Sequence, residues 1–441
     1  MKEINFYKLS LNIYLEMLLR FSSIVINTIM ISRYNVFLIG AMSSANQIFI
    51  IATTIFSFLS IGSSVLISQA LGANNKNLAI RSAHISISFN MVLGILIFFI
   101  INFFDGNMLR LLNVPNDIFD YSLIYLQTIA YVILLDCLNI ALSSVIRTYA
   151  KAKELMIVSL IMNAVNIVFN AIFLYKYDLG LFGVGISSVI SRIVSLAMLI
   201  YIYFKIAKLK IYFELFFKIN KKILKNILTI GGFSAGENLL WSAQYMVIFA
   251  FVGLLGKDAL SIQSIFFQIS MFIFTTSSAL SVANEIIIGR LVGAKEFEKA
   301  YKQSFKVLKI AIICSLVYAS FVFLIQDYIF QALSLSNELI NIIKPLFIIS
   351  FFLESSRALN IVMVNSLRAS GDAAFPFYAG IVFMWGVSVP LAYILGIHLH
   401  FAMVGIWSAF VVDELLRGLA NTYRWKSKKW QSKTLSHKYS K

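Results

Sequence analysis

The sequence predicts an all-α integral membrane protein, with twelve transmembrane helices in two six-helix bundles related by pseudo-twofold symmetry. Three observations predict it. Of the 441 residues 60% are hydrophobic and 13% charged, where an average soluble domain has about a quarter of its residues charged. Apolar stretches long enough to cross a hydrocarbon core of about 30 Å as helices recur from end to end. One constant shift in numbering aligns the two halves of the chain at four separate places. Helices are the spanning element because lipid offers the backbone no hydrogen-bond partner.

Clusters of Gly, Pro, Asn and charge separate the apolar stretches. Six lie in the first half, near residues 10–33, 37–70, 83–104, 121–146, 155–175 and 182–205. Six follow, near 225–254, 260–290, 306–326, 339–367, 376–396 and 402–424. The expected division is an N-terminal lobe over 1–212 and a C-terminal lobe over 213–441 that ends in a basic tail.

The repeat rests on four places in one register. Glu16-Met17-Leu18-Leu19 faces Glu237-Asn238-Leu239-Leu240 (237 − 16 = 221), and Gly72-Ala73 faces Gly293-Ala294. Leu138-Asn139-Ile140 faces Leu359-Asn360-Ile361, and Arg147 faces Arg368. Six helices is an even number, so both halves enter the membrane from the same side, and the axis relating them is expected to run along the membrane normal with a cavity near the midplane.

Charge sets the expected orientation. The balance is 37 basic against 20 acidic residues, a net +17. The excess sits in particular connections: Lys205, Lys208, Lys210, Lys218, Lys221, Lys222 and Lys225 crowd the middle of the chain, and Lys426, Lys428, Lys429, Lys433, Lys438 and Lys441 the tail. Both read as cytoplasmic, and with twelve spans so do both termini. Asp105, Asp117 and Asp120 fall one helix away, as an up-and-down bundle requires, which argues against a nucleic-acid partner. Cys137 and Cys314 lie in apolar helices, where a thiol acts as a small hydrophobe. Lys2, Glu3 and Lys8 precede a long helix without a small-residue cleavage site, so the N-terminus does not read as a removable signal peptide.

A charged side chain at the centre of a spanning helix costs roughly 2.5–3.5 kcal/mol on insertion scales, so each one needs an account. Glu16 with Arg20, Glu354 with Arg357, and Glu414 with Arg417 are spaced three or four apart and can pair within one helix. Arg147 and Arg368 stand at helix ends, where snorkelling suffices. Glu237 and Asp136 have no cation within one helical turn, so each needs a partner elsewhere or a proton. Glu285, near the end of the eighth helix, is a further candidate. Asn27, Asn139, Asn163, Asn166, Asn170 and Asn360 read chiefly as polar glue between helices. Trp241, Tyr245, Phe266 and Phe267 can line a cavity for aromatic cations. His84, His398, His400 and His437 are too scattered for a metal site.

Several segments resemble the multidrug and toxic compound extrusion (MATE) family, over nearly the whole chain. Gln69-Ala70-Leu71-Gly72-Ala73-Asn74-Asn75-Lys76 resembles its turn after helix two, with Arg290-Leu291-Val292-Gly293-Ala294-Lys295 as counterpart. Ser366-Leu367-Arg368-Ala369-Ser370-Gly371-Asp372, followed by Phe375-Pro376, is similar to the family's turn before helix eleven. The stretch Asn166 to Asn170, with Gly180, Gly183, Ser187 and Ser188, resembles its passage from helix five to helix six. The resemblance implies a secondary exporter of small amphipathic cations, antiporting protons or sodium ions, with a lipid-linked precursor flippase as the alternative. It places Glu237 at the ion-coupling position of helix seven. Two departures stand out: Asn27 and Asn170 occupy positions where many prokaryotic members carry acids, and Arg357 stands where some carry Asp.

The residues expected to act are therefore Glu237, Glu285 and Glu354 for cation coupling, with Glu237 principal. Asp136, Arg357, Asn139, Asn360, Asn27, Asn170 and Tyr245 are expected in the substrate cavity or its polar network. Asp136 and Arg357 are repeat-equivalent (357 − 136 = 221) and are expected to share that network. No metal or organic cofactor is expected, no enzymatic activity follows from the residues, and the chain is expected to work as a monomer in the cell membrane. No Gly-rich Lys-Ser/Thr phosphate loop occurs, so direct ATP drive is not expected.

Overall fold

Among the described residues twelve long helices follow one another along the chain. They are α1 Phe6–Tyr34, α2 Leu38–Gly72, α3 Lys76–Leu111, α4 Asn116–Thr148, α5 Ala152–Lys176 and α6 Gly180–Ile206. The second six are α7 Lys221–Leu254, α8 Lys257–Gly293, α9 Phe297–Leu324, α10 Asn337–Ser370, α11 Ala374–His398 and α12 Ala402–Lys426. A seven-residue helix, Gln326–Ala332, precedes α10, and a 3₁₀ turn, Lys429–Lys433, follows α12. This is a computed structural model, and it describes residues 4–210, 212, 214–215 and 220–435. Lys2, Glu3, Lys218, His437, Lys438 and Lys441 lie outside the described residues.

Among the described residues ten helices are long and apolar enough to cross a membrane. The two long helices that fall short, α7 and α12, are those carrying Glu237, Asn238 and Gln244, and Asp413, Glu414, Arg417 and Asn421. The helices also begin earlier than hydropathy indicates. α3 opens at Lys76 rather than near 83, and α9 at Phe297 rather than near 306. The added turns carry Arg81, Glu298, Lys299 and Lys302, which hydropathy reads as loop although the helix runs through them. Asn75 caps α3 by accepting from the Leu78 amide at 3.0 Å.

α10 is closed by Gly371 at φ +98°, a left-handed cap that a side chain would strain. α11 holds two π-helical stretches, Ile381–Ser388 and Ile394–His398, on either side of Pro390. π-helical turns also end α5 at Ile172–Lys176 and α6 at Ile202–Ile206, where there is no proline.

The chain divides into two compact units. One holds Leu15–Ile67 and Asn75–Gly232, with a core around Phe56, Ile101, Leu126, Ile133 and Leu174. The other holds Met1–Tyr14, Ser68–Asn74 and Phe233–Lys441, with a core around Phe266, Phe347, Leu353, Ile406 and Trp407. Inside this second unit the last turn of α2 meets α8 with no space to spare. A Cβ on Gly72 would stand 1.9 Å from the Arg290 carbonyl oxygen, and one on Gly293 would stand 1.9 Å from the Gln69 carbonyl oxygen. The contact is reciprocal in the repeat, since 290 − 69 and 293 − 72 both equal 221.

Candidate functional site

A dense cluster of buried charge lies between α10 and α12 of the second unit. α10 presents Glu354 and Arg357 three residues apart, so both project from one face. α12 presents Asp413, Glu414 and Arg417 with the same helical spacing. Arg357 Nη1 donates to Glu354 Oε1 at 3.1 Å and to Ser270 Oγ of α8. Its Nε lies 3.9 Å from Glu414 Oε1, which links the two helices. Arg417 grips Asp413 with two parallel bonds of 2.9 Å and reaches Glu414 at 3.0 Å. Asn360 donates to Glu414 Oε2 at 2.8 Å and accepts from Asn421 at 3.0 Å, while Gln244 of α7 donates to Asp413 at 3.2 Å. All five charged side chains are buried.

The charge count decides what this cluster can do. Three carboxylates face two guanidinium groups, so full ionisation leaves one negative charge in a buried place. Burying an uncompensated charge is costly, and a proton or small cation removes the cost. Within the cluster, Glu354 Oε2 is buried and accepts no hydrogen bond among the described residues.

Glu237 has the partner that the sequence left unassigned. Arg368 Nη2 stands 3.3 Å from Glu237 Oε2, and Arg368 also donates to Asn365. In the first unit Arg147 stands 2.7 Å from Glu16, which Arg20 approaches to 3.1 Å. The reading of Arg147 and Arg368 as snorkelling helix ends is thereby corrected: both reach inward to a buried carboxylate, whose charge outweighs the pull of the membrane boundary. The two pairs are copies in the repeat, for 147 − 16 and 368 − 237 both equal 131. That equal separation was the signal that could have paired them from sequence. Asp136 of α4 finds Arg192 of α6 at 2.8 Å, a residue the sequence reading passed over.

The remaining candidates separate by unit. Asn139 accepts from Ser195 at 2.8 Å, and Asn170 donates to Asn27 at 2.9 Å and to Asn166 at 3.3 Å, all within the first unit. Asp136 is held in that unit and Arg357 in the other, each in its own ion pair. Glu285 is buried on α8. Tyr245 of α7 packs on Trp241 and on Phe267, with ring centroids 6.1 Å and 4.5 Å away, and its hydroxyl accepts from Gln263. Phe266 does not join them; it is fully buried against Trp407, 4.6 Å away, as core. Asp413 was missed as a site residue, because it directly precedes the Glu414–Arg417 pair that already accounted for local charge.

A family model described as MatE matches residues 13–172 and again 234–394, and the starts of the two matches are offset by the register of the repeat (234 − 13 = 221). The chain is 31% identical over 439 residues to the "Uncharacterized transporter YisQ" of Bacillus subtilis, covering 99% of this chain and 96% of that one. It is 21% identical over 422 residues to a "Probable multidrug resistance protein NorM" of Thermotoga maritima, covering 93% and 89%. A solved outward-facing multidrug resistance MATE family transporter superposes with a TM-score of 0.88 at 18% identity, over 97% of this chain and 96% of that one. At that identity the likeness shows the fold.

Proposed function

This chain belongs to the MatE family of multi-pass membrane transporters, and from that premise we propose that it is a secondary active exporter of small amphipathic cations. It antiports them against protons or sodium ions by alternating access, as a monomer in the cell membrane with both termini in the cytoplasm. The observation that carries the reading is the surplus carboxylate of the α10–α12 cluster, three acids to two arginines, all buried. A coupling ion loads on that surplus, with Glu354 as its first receiver and the Glu237–Arg368 pair alongside. Loading drives transport only if the loaded and empty forms favour different conformations, because a ligand shifts an equilibrium by its differential affinity alone. The aromatic faces of Trp241, Tyr245 and Phe267 support a cationic substrate, since a ring quadrupole attracts cations.

The cluster's sign also weighs against a flippase for an anionic lipid-linked precursor, which calls for buried cations in excess. The test is efflux of a fluorescent cationic dye from proteoliposomes under an imposed proton gradient or an imposed sodium gradient. Efflux driven by one of them is expected; efflux driven by neither, in protein that binds the dye, would overturn the reading.

A further inference from the structure

The tail beyond α12 reads in sequence as a basic extension, yet up to Leu435 it is folded against the protein. Lys428 adopts a left-handed conformation at φ +58°, which turns the chain back on α12. Trp430 then stacks on Trp425 with centroids 4.1 Å apart and planes 6° from parallel, and donates its indole N–H to the Trp425 carbonyl at 2.9 Å. Both indoles are fully buried, and Phe297 at the start of α9 closes the edge of Trp430. Lys428 pairs with Glu298, and Arg424 holds Asp372 at 2.7 Å.

Leu435 and Lys433 tie the described part of the tail to two further helices. The Leu435 amide donates to Gln69 Oε1 of α2 at 2.9 Å, and the same Gln69 donates through Nε2 to the Ala369 carbonyl of α10 at 2.7 Å. The Lys433 carbonyl lies where a Cβ on Gly371 would stand only 2.6 Å from it, so the left-handed glycine is also the seat of the strap. Gln69 is the residue whose backbone packs on Gly293 of α8. One short segment therefore touches the last turn of α2, the end of α10 and the start of α9, at the place where α2 and α8 are in tightest contact.

We propose that residues 428–435 form a latch that stabilises the conformation in which the last turns of α2 and α8 are packed together. Any conformation that parts α2 from α8 there must give up the Leu435–Gln69 bond or carry the strap away from Gly371. The latch therefore biases the transport cycle toward the packed state, and this consequence rests on the alternating-access reading above. The latch itself does not.

The test is hydrogen exchange by mass spectrometry on the full chain in lipid nanodiscs, comparing wild type with Trp430→Ala and Trp430→Phe. Removing the stack should speed exchange roughly tenfold in peptides ending at Gly72 and Gly293, while peptides of α4 and α6 stay unchanged and Trp430→Phe stays near wild type. Unchanged exchange at Gly72 and Gly293 would overturn the proposal, as would an equal rise in α4 and α6, which marks general loosening. A second variant, Gln69→Leu, removes the tie at its other end and should give the same local pattern. Exchange is read without substrate or gradient, so lost dye efflux with intact exchange bears on the transport reading and not on the latch.

Discussion

At the scale of single residues, the charged side chains of the second unit form a set in which each position has a distinct cost of removal. Arg417 is the hub: it compensates Asp413 through two bonds and Glu414 through a third. Arg417→Ala leaves two buried carboxylates short of a cation, which should destabilise the fold by about 3–5 kcal/mol. Thermal unfolding in detergent measures it. The deficit should shrink as pH falls, because protonated carboxyls need no counter-charge; a deficit that grows on acidification would contradict the assignment. Glu354 was legible in sequence as an intrahelical pair with Arg357, and Glu237 as a carboxylate without a local cation. Helical spacing showed neither Arg368 nor Arg192 as a partner, because it reports only neighbours within a turn; for Arg368 the signal lay in the repeat. These partners stand on other helices, far along the chain from the acids they meet (368 − 237 = 131 and 192 − 136 = 56).

Among elements, the repeat explains more than it first suggested. Asp136 of α4 pairs with Arg192 of α6, and the same register carries those positions to Arg357 of α10 and Asp413 of α12 (357 − 136 = 413 − 192 = 221). One half thus places the acid on its fourth helix and the base on its sixth, and the other half places them the opposite way. The two positions hold opposite charges in both halves, although in the second half Arg357 bonds to Glu354 and Asp413 to Arg417, so reversing the first-half pair tests whether that place accepts either order. Asp136→Arg or Arg192→Asp alone puts like charges together and should lower the unfolding temperature, while the double swap should recover most of the loss, as a double-mutant cycle would read. No recovery in the double swap would mean that the neighbours of each position, and not the pair, decide the order. Helix existence and order were legible because spanning helices are apolar over most of their length, and α7 and α12, still bounded by clusters of Gly, Asn and Lys, were legible despite their charges. The early starts of α3 and α9 were not, since charged turns look like loops to hydropathy. The folded strap after α12 was equally hidden, because its lysines outweigh one tryptophan in any compositional reading.

Across the whole molecule the two halves differ in one respect. The first half places amides at Asn27 and Asn170, joined by a hydrogen bond, and its ion pair Asp136–Arg192 is balanced. The α10–α12 cluster of the second half has three acids to two arginines among the described residues. On the proposed reading coupling therefore belongs to the second half, and the duplicated architecture uses one of its two copies for that work. Neutral variants separate the two acids there. Glu237→Gln removes the carboxylate facing Arg368 and should impair transport, but on the proposed reading the surplus charge sits with Glu354. The most direct measurement is gradient-driven dye efflux by proteoliposomes holding matched amounts of wild type and Glu354→Gln, with dye exchange in the absence of a gradient measured beside it. The account predicts that Glu354→Gln still exchanges dye while its gradient-driven efflux falls to the level of empty vesicles; gradient-driven efflux at the wild-type rate would contradict it.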